Sequence, residues 1–181
     1  AFQRYGWDEQ IPNRVYAYNN RISGDRTVGK VELTLIRVAD ERLGETESVT
    51  TPEKIDLVYS SRTRGLIDAV YDWSRFNSLP RAYAWIGNEL STGRVITAEI
   101  VDAALRFGNQ GTIRRIGYLL ESLVEQKKHM ARIIPTRLIM RLERALHSSS
   151  SIIPWIPTVS KRGRVNKHWG VVVNGTSPSI T

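Results

Sequence analysis

The chain has 181 residues, of which 41% are hydrophobic, enough for one sizeable core or a core with a small satellite. It contains no cysteine, which excludes disulfides, thiol catalysis and thiolate metal sites and fits a reducing compartment such as the cytoplasm. No apolar run approaches the ~18 residues of a membrane span. Arg4, Asp8 and Glu9 interrupt any signal sequence, so we expect a cytoplasmic protein without membrane contact.

The charge is unevenly distributed along the chain. Residues 1–110 hold 14 Lys and Arg against 15 Asp and Glu, a net charge of −1. Residues 111–181 hold 12 Lys and Arg against only Glu121, Glu125 and Glu143, a net charge of +9. This asymmetry indicates a polyanion or an acidic protein as the partner of the C-terminal part.

Two segments near the N-terminus have the pattern of β-strands. The first is 14–18, which carries Val15, Tyr16 and Tyr18, and the second is 30–38, with the sequence KVELTLIRV. A polar loop over 19–29 separates them, so we predict that they pair as a hairpin with a long loop. The acidic stretch 40–48 is expected to be a loop or a strand edge.

The middle of the chain has the 3.6-residue periodicity of buried helix faces. Thr51 and Pro52 have the types favoured at a helix start, which predicts a first helix running on through 55–59. Further helices are predicted over 63–73, 79–90, 97–107 and 136–147.

The segment 111–125, GTIRRIGYLLESLVE, has the strongest helical pattern. Its apolar positions share one face: Ile113, Ile116, Leu119, Leu120, Leu123 and Val124. Arg114 and Arg115 lie in its first turns, where a cation faces the positive end of the helix dipole at a cost of up to ~1 kcal/mol. A carboxylate or phosphate partner would offset that cost. The alternative is an ordinary amphipathic helix whose arginines are solvated or salt-bridged.

The C-terminal part has little periodicity. We interpret 148–151 as a linker, 152–157 as an extended segment, 161–164 as a basic turn and 168–173 as a closing strand. Trp155 and Trp169 flank the basic turn. We expect both to lie in the core, with base stacking as the alternative.

These elements predict an α+β fold: a helix-rich domain of about six helices over 52–147, packed on a small, mainly antiparallel sheet. The sheet is predicted from 14–18, 30–38 and the closing strand near Val171. The predicted core residues are Val31, Leu33, Leu35, Leu66, Ile67, Val70, Ile86, Leu105, Ile116, Leu120, Leu123 and Leu142.

Three stretches of the sequence, FGNQGTIRRIGYLLESL, GLIDAVYDWSRFNSLPRAYAWI and SKRGRVNKHW, resemble the C-terminal domain of the AbiEi family. These proteins are antitoxins and transcriptional regulators of type IV toxin–antitoxin (abortive infection) systems. The resemblance implies a strand-containing segment over 1–50 and a helical antitoxin core over 51–181, with the family's N-terminal winged helix lying outside this chain. It also implies that the domain counters a nucleotidyltransferase-like toxin.

The basic residues are the strongest candidates for a binding surface. Arg137, Arg141 and Arg144 recur at helical spacing on one face, and guanidinium groups bind phosphates and carboxylates by bidentate contacts. The alternative is a solvated helix face. The predicted contact residues for DNA in the intact protein, RNA or the toxin are Arg114, Arg115, Arg137, Arg141, Arg144, Lys161, Arg162, Arg164 and Lys167.

Signs of catalysis are few. The three histidines are scattered, and the sequence contains no phosphate-binding glycine loop, no HExxH motif and no zinc-spaced cluster. We therefore predict a non-enzymatic domain without a cofactor. The alternative is a nuclease that uses the basic face as a substrate track. Its nearest approach to a nuclease site is Glu32 with Lys30, which lacks a further acidic partner. The paired carboxylates Glu45/Glu47 and Asp68/Asp72 are interpreted as solvated or salt-bridged.

Overall fold

The computed structural model describes residues 1–9, 14–147 and 151–175, and the chain forms two compact units, Ala1–Arg62 and Thr63–Thr181. The first unit is built from strands and the second mainly from helices. The strands of the first unit are β1 Arg14–Asn19, β2 Gly24–Val28, β3 Val31–Arg37, β4 Thr46–Thr50 and β5 Asp56–Ser60. The predicted linker 148–151 falls mostly outside the described residues.

The second unit contains seven helices within the described ranges and a small three-stranded sheet. The helices are α1 Arg62–Tyr71, α2 Trp73–Phe76, α3 Arg81–Ser91, α4 Thr97–Phe107, α5 Gln110–Gln126, α6 Met130–Ile133 and α7 Thr136–Arg144. The strands are β6 Ile153–Pro154, β7 Arg164–Asn166 and β8 Val171–Val173. Helices predominate and three of the five strand pairings are antiparallel, which confirms the predicted α+β class.

The predicted hairpin between the first two strands is wrong. β1 pairs with β3 in parallel, and the antiparallel partner of β3 is β2, which lies inside the expected loop. β2 and β3 are joined by only two residues, Gly29 and Lys30, and so short a connection closes a hairpin at a smaller entropic cost than the long loop would. β2 escapes prediction because its sequence, GDRTV, is almost wholly polar.

The predicted helix after Thr51 is also wrong. Residues 56–60 form β5, which pairs antiparallel with β4, and Thr51 and Pro52 belong to the turn between them. The backbone N–H of Lys54 donates to the carbonyl of Thr51 at 2.9 Å, which closes that turn. The local preference of Thr-Pro for a helix start is outweighed by pairing of the strand-forming sequence DLVYS with a neighbouring strand.

The closing strand does not join the N-terminal strands, contrary to the prediction. β8 lies between β6 and β7 in a separate sheet of the second unit, parallel to β6 and antiparallel to β7. A strand's own pattern does not specify its partner, and the three strands of the single predicted sheet fall in two separate sheets. α7 also ends at Arg144, three residues before the predicted end.

The core of the second unit agrees well with prediction. Eight predicted core residues are buried: Leu66, Ile67, Val70, Ile86, Ile116, Leu120, Leu123 and Leu142. Leu33, Leu35 and Leu105 are only partly buried, and Val31 is exposed at 40%, so these four are wrong as core positions. Three of them lie on β3, whose one buried residue is Thr34 on the opposite side of the strand, so the predicted core face of this strand is wrong. A polar residue is accommodated there because the Thr34 hydroxyl donates to the Asp25 carboxylate at 2.6 Å. No helix in the described part of the chain has the length and apolar character to cross a membrane.

We predict that Leu120→Ala lowers the free energy of unfolding by about 2–5 kcal/mol, because this wholly buried side chain would leave a cavity in α5. Denaturant unfolding measures the change. Met140→Ala on α7 is the control, since Met140 is 41% exposed and its truncation should cost under about 0.5 kcal/mol. Equal stabilities for the parent and Leu120→Ala would show that Leu120 does not lie on the buried face of α5.

Candidate functional site

The site is organised by α5, the longest helix in the described residues. Its N-terminus is capped by Asn109, whose side-chain oxygen accepts from the backbone N–H of Thr112 at 2.9 Å. One face is buried through Ile113, Ile116 and Leu120, as the sequence predicts. The helix therefore provides a fixed support on which the C-terminal segment packs.

Trp169 packs directly against the backbone of α5 at Gly117. A Cβ atom at position 117 would overlap the six-membered ring of the Trp169 indole, so only glycine permits this contact. Trp169 is fully buried, and its indole N–H donates to the carboxylate of Glu121 on the same helix at 2.9 Å. This contact fixes the turn between β7 and β8 on the helix.

Trp155 makes a second contact between the C-terminal segment and the helices. Its ring stacks on Tyr83 with centroids 3.7 Å apart and meets the edge of Tyr118 at 4.8 Å. The Tyr83 hydroxyl donates to the carbonyl of Trp155 at 2.7 Å, and burial of the phenol raises the pKa of Tyr83. Both tryptophans are buried completely, which confirms their assignment to the core.

Arg114 and Arg115 are buried, with 6% and 7% of their surface exposed. Arg114 Nη1 donates to the carbonyl of Ser151 at 2.7 Å, and Arg115 Nη2 donates to the carbonyl of Pro154 at 3.2 Å. Within the described ranges neither forms an ion pair with a carboxylate, and each donates to a backbone carbonyl instead. Desolvation lowers the pKa of Arg115, with the neighbouring Tyr83 opposing the shift.

A cleft of about 300 Å³ lies where α5, the end of α7 and the β7–β8 turn meet. It is lined by Arg114, Glu143, Leu146, His147, Lys167, His168, Trp169 and Gly170. The side chain of Gln110, the first residue of α5, holds the end of α7 in place. It donates to the carbonyl of Ala145 at 3.0 Å and accepts from the backbone N–H of His147 at 3.0 Å.

His168 connects two carboxylates at the edge of this cleft. Its Nδ1 lies 3.3 Å from Glu121 on α5, and its Nε2 lies 3.2 Å from Glu143 on α7. The imidazole therefore lies between carboxylates that come from two different helices. Two of the three acids in the basic C-terminal part are thereby engaged by one residue.

Of the nine predicted contact residues, Arg114 and Lys167 share the cleft. The seven others are divided between interior and surface. Arg115 is buried beneath the C-terminal segment, whereas Arg137, Arg141, Arg144, Lys161, Arg162 and Arg164 are exposed. Arg141 donates to Asp102 at 2.8 Å, an ion pair between exposed side chains that contributes at most about 1 kcal/mol.

His147, His168 and Glu121 are site residues that the sequence does not identify. The two histidines lie 21 positions apart and belong to no motif. Glu121 is a single polar residue in the second half of a predicted helix, which by itself indicates no site. The HWG sequence beside the basic turn is the one available signal. It places a histidine next to a tryptophan that packs on the central helix.

The acids considered for the nuclease alternative have structural partners. Asp68 is buried and accepts from Arg64 Nε at 2.8 Å, and Glu32 accepts from Arg14 at 2.6 Å in the first unit. Across residues 1–9, 14–147 and 151–175, no three His, Cys, Asp or Glu side chains are grouped as metal ligands. Comparison with known proteins finds no matching family model, curated protein or solved structure.

We predict that Gly117→Ala lowers the free energy of unfolding by about 1–3 kcal/mol, because the added methyl overlaps the Trp169 ring. Chemical unfolding followed by tryptophan fluorescence measures this. In the background of Trp169→Leu the same substitution should cost much less, since the overlapping ring is gone. Equal costs in the two backgrounds would show that Trp169 does not pack on Gly117.

Proposed function

We propose that this chain is a non-enzymatic binding domain whose basic surface contacts a phosphate-bearing or acidic partner. The observation that carries the proposal is the exposure of seven of its predicted contact residues. These are Arg137, Arg141, Arg144, Lys161, Arg162, Arg164 and Lys167. They belong to a region of net charge +9, in which His168 engages Glu121 and Glu143. Such a surface attracts anionic partners over distances comparable to the Debye length.

We further propose that the domain acts in the cytoplasm as the antitoxin part of an AbiEi-like regulator and counters a nucleotidyltransferase-like toxin. Support comes from the resemblance of three sequence stretches, including the α5 segment. DNA recognition belongs in this proposal to the intact protein, where a winged helix would read the operator. The basic surface would contribute sequence-tolerant contacts with DNA, with RNA or with the toxin itself.

We predict that the double substitution Arg137→Glu and Arg144→Glu weakens partner binding and abolishes rescue from the toxin, because it reverses two exposed charges on α7. Binding and growth rescue by co-expression with the neighbouring gene product are measured on folded protein. For nucleic acid, the slope of log K against log salt should become less negative by about 0.9 for each phosphate that the variant no longer neutralises.

Lys128→Glu with Arg132→Glu is the matched control, since it makes the same change in charge at exposed positions outside the predicted surface. The control should keep binding and rescue. Full rescue by the α7 variant would contradict the proposal, and so would equal losses in both variants. Metal-dependent cleavage of nucleic acid that a single carboxylate substitution abolishes would instead support the nuclease alternative.

A further inference from the structure

The cleft beside α5 contains a buried cation without a counter-charge. The guanidinium of Arg114 lines the cleft, uses Nη1 to reach the Ser151 carbonyl, and has a buried Nε without a hydrogen-bond partner. No carboxylate in the described ranges pairs with it. A buried charge that is held by carbonyl dipoles alone is costly, and an anion in the cleft would lower that cost.

Further cationic and imidazole groups line the same cleft. Lys167 and His168 come from the β7–β8 turn, and His147 follows α7. The single acid in the lining is Glu143, which already faces His168 Nε2 at 3.2 Å. The lining therefore offers a positive charge from Arg114 and another from Lys167, with its acid already engaged.

At Gly170 the backbone of the turn between β7 and β8 passes close to the guanidinium of Arg114. Gly170 has φ of +62°, and a Cβ atom there would lie 3.2 Å from Arg114 Nη1. Glycine thus allows both the left-handed turn and the close approach of backbone to cation. The turn that carries Lys167 and His168 is held in this way beside Arg114.

We propose that this cleft binds a phosphate monoester, through Arg114 at its base and Lys167 with His147 at its rim. The donors come from α5, from the end of α7 and from the β7–β8 turn, so they approach from different elements. A tetrahedral dianion accepts hydrogen bonds on several sides, whereas a planar carboxylate accepts them within one plane. This inference rests on the proposed binding function and identifies the anion and its anchoring residues.

The volume and lining of the cleft fit a phosphate with part of a nucleoside attached. At about 300 Å³ it exceeds what one phosphate occupies, and Leu146 adds apolar surface beside the cations. The phosphate monoester would come from a free nucleotide or from the 5′ end of a nucleic-acid strand. These two sources share the group that the cleft recognises and differ in what lies beyond it.

The first test titrates the whole chain with inorganic phosphate at constant ionic strength, using the indole N–H signal of Trp169 in nuclear magnetic resonance spectra as the reporter. We expect saturable binding that Lys167→Gln weakens about tenfold, the effect of removing one charge-assisted hydrogen bond. Lys128→Gln is the matched control, because Lys128 is exposed and lies outside both the cleft lining and the predicted contact surface. Absence of saturation, or equal weakening by the two lysine variants, would overturn the inference.

Arg114 is tested by Arg114→Lys, which keeps the charge but removes the guanidinium fork. We expect folded protein with weaker phosphate binding. Arg114 is buried and donates to the Ser151 carbonyl, so its substitution could change the fold as well as phosphate binding. Lys167→Gln is therefore measured beside it, because the exposed Lys167 side chain can change without loss of the fold. Phosphate affinity that is unchanged in folded Arg114→Lys and in Lys167→Gln would overturn the inference.

The second test identifies the source of the phosphate. Adenosine 5′-monophosphate and a 5′-phosphorylated oligonucleotide compete with inorganic phosphate, with adenosine and the 5′-hydroxyl oligonucleotide as controls. If only one of the two phosphorylated compounds displaces inorganic phosphate, the result supports the site and identifies that compound's class as the source of the phosphate. Displacement by the 5′-hydroxyl strand as strong as by the phosphorylated one would overturn monoester recognition.

The two proposals fail separately. If phosphate does not saturate while Arg137→Glu with Arg144→Glu still abolishes rescue, the cleft inference is wrong and the binding function stands. If phosphate binds through Lys167 while the α7 variant keeps full rescue, the cleft inference stands and the exposed basic surface is not the partner-binding site.

Discussion

The close contact between Trp169 and Gly117 is the constraint on which the arrangement of the second unit depends. A helix surface without a side chain at position 117 lets the indole ring lie against the helix backbone. The sheet of β6, β8 and β7 is thereby held on α5 at the end where His168 and Lys167 are exposed. Burial of a whole indole stabilises the fold, whereas overlap with an added methyl at 117 would oppose it.

The same packing explains why the two central arginines differ from the surface ones. Arg114 and Arg115 are covered by the C-terminal segment and donate to its carbonyls, so they tie Ser151 and Pro154 to α5. The arginines of α7 lack such cover and are exposed, and one of them, Arg141, pairs with Asp102 on α4 at 2.8 Å. The positive charge of the C-terminal part is therefore divided between the interior of the fold and its surface.

The helical half of the fold could be predicted because its sequence has long amphipathic periods, as in 97–107 and 111–125. β1, β3 and β8 could be recognised from their own sequences, whereas the polar strand β2 and the strand β5 after Thr-Pro could not. The partners of all these strands depend on turn geometry and tertiary contacts that no local pattern encodes. The cleft was only partly predictable. Arg114 and Lys167 could be identified from charge, but His147 and His168 come together because Trp169 and Gln110 fix their segments.

The most direct test of this account is the proton chemical shift of the Gly117 α protons in solution, together with their nuclear Overhauser contacts to the Trp169 ring. An indole lying against the helix backbone at this position should shift these protons strongly through its ring current and give direct contacts to its six-membered ring. Ordinary helical glycine shifts without contacts to Trp169 would contradict the account, because the C-terminal sheet would then not be held on α5 in this way.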